Sequence, residues 1–244
     1  MPLIVLWDID HTLIENSGVS KEIYAAAFAA LTGFPPSAPV VTEGRTDRLI
    51  MADLFHRHQL ASPRWEETEQ ALAEAGAASE PALRERGHVL PGAREALEAL
   101  RCEAGLVMSV LTGNIAANAL VKLRAFDLHG LVDLAVGAYG SDCEDRAGLV
   151  PVARRRVGAA YGLPASTAVV LVGDTPRDVQ AALANNAEVL AVASGSYSQV
   201  ALRAAGARIV LADLRDTTKV VSVLRDLNLS HAGTQLGRPG RLPQ

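Results

Sequence analysis

The sequence predicts an α/β fold: a parallel sheet covered by helices on both faces, with an all-helical segment inserted after the first strand. Three observations predict it. Short apolar runs rich in β-branched residues alternate with longer helical patterns. The alternation lapses over 17–88, where no convincing strand is found. Acidic and hydroxyl residues stand directly behind several of the apolar runs, at the strand ends where parallel sheets place their sites.

The elements follow in order. Leu3–Trp7 reads as a buried strand, as do 106–111, 132–136, 168–172, 189–192 and 208–211. Helical patterns occupy 93–104, 115–125, 148–162, 176–185, 197–205 and 216–227. Strands separated by helices imply parallel pairing with both faces covered. Within 17–88 the amphipathic stretches are 19–32, 46–59 and 64–86. They are interrupted by Pro35-Pro36-Ser37-Ala38-Pro39 and by Ser62-Pro63. Pro91-Gly92 marks the return to the main domain. The expected organisation is therefore a core of 1–16 and 89–229, a helical cap of 17–88, and a disordered tail of 230–244, which is rich in Gly, Pro and polar residues.

Composition narrows the class. The 244 residues are 49% hydrophobic and 20% charged, enough to bury a real core. Net charge is -4 with a sequence pI near 5.9, which draws neither nucleic acid nor anionic membrane. Arg154-Arg155-Arg156 lies inside a helical pattern and reads as a solvated face. Cys102 and Cys143 match no metal or redox spacing, which suits a reduced, cytoplasmic protein. The apolar start, Leu3–Trp7, has no basic region before it and is too short for a signal peptide. No run approaches the roughly 18 apolar residues of a membrane span.

Three segments carry the chemistry. The first strand ends in Asp8-Ile9-Asp10-His11-Thr12-Leu13, with two carboxylates on the same side of an extended chain. A carboxylate behind a buried strand needs compensation, and a hard divalent cation supplies it well. If the chain stays extended, His11 points away from the two carboxylates. The next core strand ends Leu111-Thr112-Gly113-Asn114 and runs into a helix, giving a hydroxyl and free amides suited to an anion. The strand at 168–172 ends Gly173-Asp174-Thr175-Pro176-Arg177-Asp178, where Pro176 suits a first helical turn. Taken singly, each has an ordinary turn or cap as its alternative. Together they supply carboxylates for a metal, donors for phosphate and a spare acid.

These segments resemble the haloacid dehalogenase-like hydrolases on their phosphatase branch. The first, second and fourth motifs of that family match the three segments in order, across residues 3–213. The resemblance implies a Rossmann-like core, and the helical insertion falls where the family carries its cap. Gly44-Arg45-Thr46-Asp47 is similar to a cap segment of phosphoglycolate phosphatase-like members. The third motif usually presents a lysine. Here 141–150 contains none, and Arg146 is the best-placed cation.

The resemblance implies a mechanism. Asp8 attacks phosphorus and forms an aspartyl-phosphate; Asp10 protonates the leaving oxygen and then activates water. Mg2+ is expected on Asp8, Asp174 and the backbone carbonyl of Asp10. Asp178 is expected to hold Arg146 or a water on the metal. Thr112, Gly113, Asn114 and Arg146 are the expected phosphate contacts. Arg45 is expected to meet a substrate carboxylate or serve cap closure, or else to pair with Asp47 or Glu43. Asp10 argues against dehalogenation, because a halide leaves without a proton. The partner is a small phosphorylated metabolite, with no nucleic acid and no membrane; oligomeric state is left open. A phosphomutase of the same family, or a non-enzymatic phosphate-responsive module, are the rival readings.

Overall fold

The structure, a computed structural model, describes residues 2–236. Its centre is a five-stranded parallel sheet in the order β4-β1-β5-β6-β7. The strands are β1 (Leu3–Trp7), β4 (Leu106–Val110), β5 (Ala168–Gly173), β6 (Glu188–Val192) and β7 (Ile209–Leu211). β1 is buried along its whole length and pairs with β4 on one side and β5 on the other.

The alternation of a strand sorts these side chains between two cores. Leu3, Val5 and Trp7 pack with Leu97 and Leu100 of α5 (Ala93–Arg101), Leu123 of α6 (Ala116–Ala125), and Val220 and Leu224 of α10 (Thr217–Leu236). Ile4 and Leu6 face the opposite way. They pack with Leu149 and Val157 of α7 (Leu149–Tyr161), Val179 of α8 (Pro176–Ala184) and Leu202 of α9 (Gln199–Ala204). Helices thus cover both faces of the sheet.

Four helices fill the insertion: α1 (Val19–Thr32), α2 (Asp47–Arg57), α3 (Trp65–Ala78) and α4 (Glu80–Arg86). The chain enters through β2 (Ile14–Glu15) and returns through β3 (His88–Val89), which pair antiparallel. The insertion has its own apolar cluster, with Phe28, Leu54, Phe55, Leu72 and Leu83 buried against Ile115 and Ala125. It rests on α6, whose opposite side faces the sheet.

Several expected elements differ. The strand expected at 132–136 is a 3-10 turn, Leu134–Val136. Asp133 N–H donates to Met108 O and, two residues beyond the run, Ala138 N–H donates to Val110 O, so the segment lies beside β4. Between them the Asp133 side chain accepts from Ala135 N–H and folds the chain into a turn, which stops a ladder. The pattern at 64–86 is two helices, because Pro81 near the start of α4 cannot continue the ladder of α3. Helix α10 runs to Leu236, so 230–236 are helical backbone where a tail was expected. The rest of that tail lies outside the described residues.

Three loops meet at the carboxyl end of β4. A Cβ on Gly140 would stand 1.8 Å from Gly113 O, and one on Gly113 would stand 2.1 Å from Arg45 O. Both glycines let backbones approach where no side chain fits. Gly140→Ala is expected to cost about 2 kcal/mol or more, read as a lowered denaturation midpoint. Unchanged stability would mean that these loops yield freely.

Candidate active site

The strand ends bring the expected carboxylates together. Asp8 follows β1, Asp174 follows β5, and Asp178 lies in the first turn of α8; all three are buried. They offer ligand oxygens lying within 4.8 Å of one another. Asp178 is held by a reciprocal cap. Thr175 N–H and Oγ1 donate to its Oδ2 at 3.0 and 2.7 Å, while Asp178 N–H donates back to Thr175 Oγ1. Thr12 Oγ1 donates to Asp174 Oδ1 at 3.2 Å. A Cβ on Gly195 would stand 1.9 Å from Asp174 Oδ2, so the loop after β6 walls that carboxylate closely.

Arg146 arrives on a 3-10 turn, Arg146–Gly148, capped by the Asp145 side chain. It is buried with Nη2 2.8 Å from Asp8 Oδ2 and 2.6 Å from Asp178 Oδ1, and its Nε donates to Asp178 Oδ1 at 2.8 Å. The arginine expected to stand where a lysine is usual therefore contacts the expected nucleophile. Burial disfavours its charge, but Asp178 and Asp8 outweigh that and raise its pKa. Burial pushes Asp8 up to about 6; Arg146 opposes the rise, while Asp178 and Asp10 add to it. Asp174 rises well above the usual carboxylate range, through burial and then the charges of Asp178 and Asp8.

Asp10 behaves oppositely. Its Oδ2 accepts from Lys122 Nζ at 2.6 Å and Asn114 Nδ2 at 2.8 Å. Its Oδ1 accepts from Asn16 Nδ2 at 2.7 Å and Ser20 Oγ at 3.3 Å. Burial would raise this carboxyl, but Lys122 and Asn114 outweigh it and lower it to about 2. Lys122 was not among the residues expected in the site. It belongs to α6, 1% exposed, eight residues beyond Asn114.

Thr112 is fully buried, and its Oγ1 accepts from Asn114 Nδ2 at 2.8 Å. Thr112 N–H is committed to Ala138 O. The N–H groups of Asp10 and Gly113 have no hydrogen-bond partner among the described residues and border the cavity. They are donors available to an anion. The chain does not stay extended past Asp10: His11 has φ 58° and its N–H donates to Ile14 O. His11 therefore borders the cavity rather than pointing away, with Nδ1 3.0 Å from Glu15 Oε2.

The insertion closes the site from above. Thr46 Oγ1 donates to Glu144 O at 2.6 Å, Arg48 Nε to Ser141 O at 3.0 Å, and Asp47 N–H to Gly113 O at 2.8 Å. Asp47 Oδ2 accepts from Ile115 N–H and Oδ1 from Tyr24 OH. Arg45 borders the cavity but pairs with Asp53 at 3.2 Å, not with Asp47 or Glu43. The cavity has about 50 Å³ open to the centres of water-sized molecules and widens into solvent at its mouth.

A family model of the haloacid dehalogenase-like hydrolases matches residues 3–186, a span that holds every carboxylate of this site. The chain belongs to that family. Solved structures share the fold at low identity. A hydrolase from Pseudomonas syringae is 21% identical, with a TM-score of 0.63 over 93% of this chain and 98% of its own. CbbY from Rhodobacter sphaeroides, in complex with phosphate, is 20% identical, with a TM-score of 0.65 over 88% and 96%. A predicted phosphoglycolate phosphatase from Haemophilus somnus is 16% identical, with a TM-score of 0.59 over 91% and 98%. No curated protein matches the chain. No helix among the described residues is long and apolar enough to cross a membrane.

Asp47 yields a pH test. Burial pushes its carboxyl up to about 6, against the lowering by Tyr24 OH and Ile115 N–H. A carboxyl raised on folding stabilises fully below its unfolded pKa, and that stability is lost as pH rises through about 6. Relative to Asp47→Asn, the wild-type protein is expected to lose on the order of 3 kcal/mol between pH 4 and 7. Parallel stability profiles for the two proteins would refute the shift.

Proposed function

We propose that the protein is a magnesium-dependent phosphatase acting on a small phosphate monoester through an aspartyl-phosphate on Asp8. The carrying observation is the ion pair of Arg146 with Asp8 and Asp178 at the mouth of β1. The pair sets a fixed cation beside the carboxylate that directly follows β1.

The residues suit a divalent cation. Among the described residues, Asp8, Asp10, Asp174 and Asp178 outnumber the cations Arg146 and Lys122 paired with them by two, so that full ionisation of the four needs a further cation. All the offered ligands are hard oxygen atoms, which Mg2+ prefers. Asp8, Asp174 and the Asp10 carbonyl would hold it, and Asp178 is already committed to Arg146 and Thr175. When bound, the ion offsets the charge of the phosphoryl group.

The chain's own groups do the rest. Asp8 attacks phosphorus in line while Arg146 and the free N–H groups of Asp10 and Gly113 stabilise the phosphoryl oxygens. The leaving oxygen takes a proton from the Asp10 carboxyl. Water then attacks the aspartyl-phosphate, and the Asp10 carboxylate removes its proton. The ionised form of Asp10, which Lys122 and Asn114 favour, is the one that serves this second half. The latched insertion narrows the approach to the site and favours a small substrate. A phosphoglycolate-like ester is the substrate class we favour, and the cytoplasm is the compartment that suits a chain with unpaired cysteines.

Phosphate release from p-nitrophenyl phosphate is expected to require Mg2+ and to vanish in Asp8→Asn. Full activity in that variant would remove Asp8 as the nucleophile. Arg146→Ala is expected to lower kcat about a hundredfold to a thousandfold. Release without any bisphosphate activator separates hydrolysis from a mutase reaction.

A further inference from the structure

The Lys122 ammonium has three N–H groups, and each meets an acceptor. They are Asp10 Oδ2 at 2.6 Å, Asn114 Oδ1 at 2.6 Å and Ser20 Oγ at 2.7 Å. The acceptors come from three elements: the turn after β1, the loop before α6, and the first turn of α1 in the insertion. A lysine that merely neutralised Asp10 would need one of these contacts. Three of them fix where the ammonium sits and hence the plane of the carboxylate.

The neighbours obey the same polarity. Asn114 donates both amide hydrogens, to Asp10 Oδ2 and to Thr112 Oγ1, and accepts from Lys122 with its oxygen. Ser20 accepts from Lys122 and donates its one hydrogen to Asp10 Oδ1. Oδ2 of Asp10 is therefore anchored by two short contacts from α6 and its approach. Oδ1 has one short partner, Asn16, and one long one, Ser20 at 3.3 Å. Oδ1 is the oxygen whose partner is most easily displaced.

We propose that Lys122 is a positioning residue: it anchors Oδ2 of Asp10 so that Oδ1 handles the proton of the leaving group, and Ser20 ties this alignment to the insertion. The proposal rests on the phosphatase reading of the site. Lys122 does not border the cavity, so it acts through Asp10 and not on substrate.

The test uses a series of aryl phosphates of graded leaving-group basicity, with Mg2+, compared by kcat/KM. This constant reports the phosphoryl transfer to Asp8 and not the later hydrolysis. A misaligned acid matters most when the leaving oxygen is basic. Lys122→Met is therefore expected to lose about tenfold more on phenyl phosphate than on p-nitrophenyl phosphate. Ser20→Ala, which removes no charge, is expected to show the same bias more weakly and covers the case in which Lys122→Met does not fold. An equal loss on every substrate, or no loss, in a variant that folds would overturn the positioning role while leaving the phosphatase reading intact. A wild-type protein that hydrolyses none of the series would overturn that reading, and the positioning role with it.

Discussion

The site depends on keeping Asp8, Asp174 and Asp178 buried within a few ångströms of one another at the ends of parallel strands. Buried like charges are costly, and here a single arginine stands between two of the three. Much of the local architecture follows from that cost. The reciprocal cap of Thr175 and Asp178 commits Oδ2 of Asp178 and leaves Oδ1 to hold Arg146 beside Asp8. The 3-10 turn that delivers Arg146 is itself fixed by Asp145. Asp174, lacking a basic partner as close, is pushed well above the usual carboxylate range by burial and by the charges of Asp178 and Asp8.

Two carboxylates two residues apart thus live in opposite surroundings. Asp8 is pushed up by burial, whereas Asp10 is pulled down by Lys122 and Asn114. Divergent environments for neighbouring acids are what a division of labour requires. The insertion touches Asp10 directly, since Ser20, together with Asn16 just before it, holds one oxygen of Asp10. It also shapes the loop that follows β4. Asp47 caps the start of α6 next to Gly113, and the missing side chains of Gly113 and Gly140 let the three backbones touch.

Asp8, Asp174, Thr112 and Arg146 could be found from the sequence because each sits at or just beyond a strand end or helix start, where local pattern and chemistry coincide. Lys122 could not be found that way. It is one lysine inside a helix, and such residues usually face water. A signal was present: Ile115, Ala119 and Lys122 recur at helical spacing on one buried face. The strand expected at 132–136 failed because composition marks burial beside β4, while the Asp133 cap decides the backbone. Arg45 pairs with Asp53, one helical turn and more into α2, a partner that only the folded insertion brings within reach.

The small ribbon of β2 and β3 has a consequence for how the sheet can assemble. Roughly a hundred residues separate β1 from β4 along the chain, and closing so long a loop has an entropic cost. Once Ile14 sits opposite Val89, the entire insertion becomes, for the sheet, a single side loop. What remains between the two strands is a short turn on one side and α5 on the other. The pairing of β1 with β4 is then a nearly local event, and the helices between can vary in length without disturbing the register beneath them.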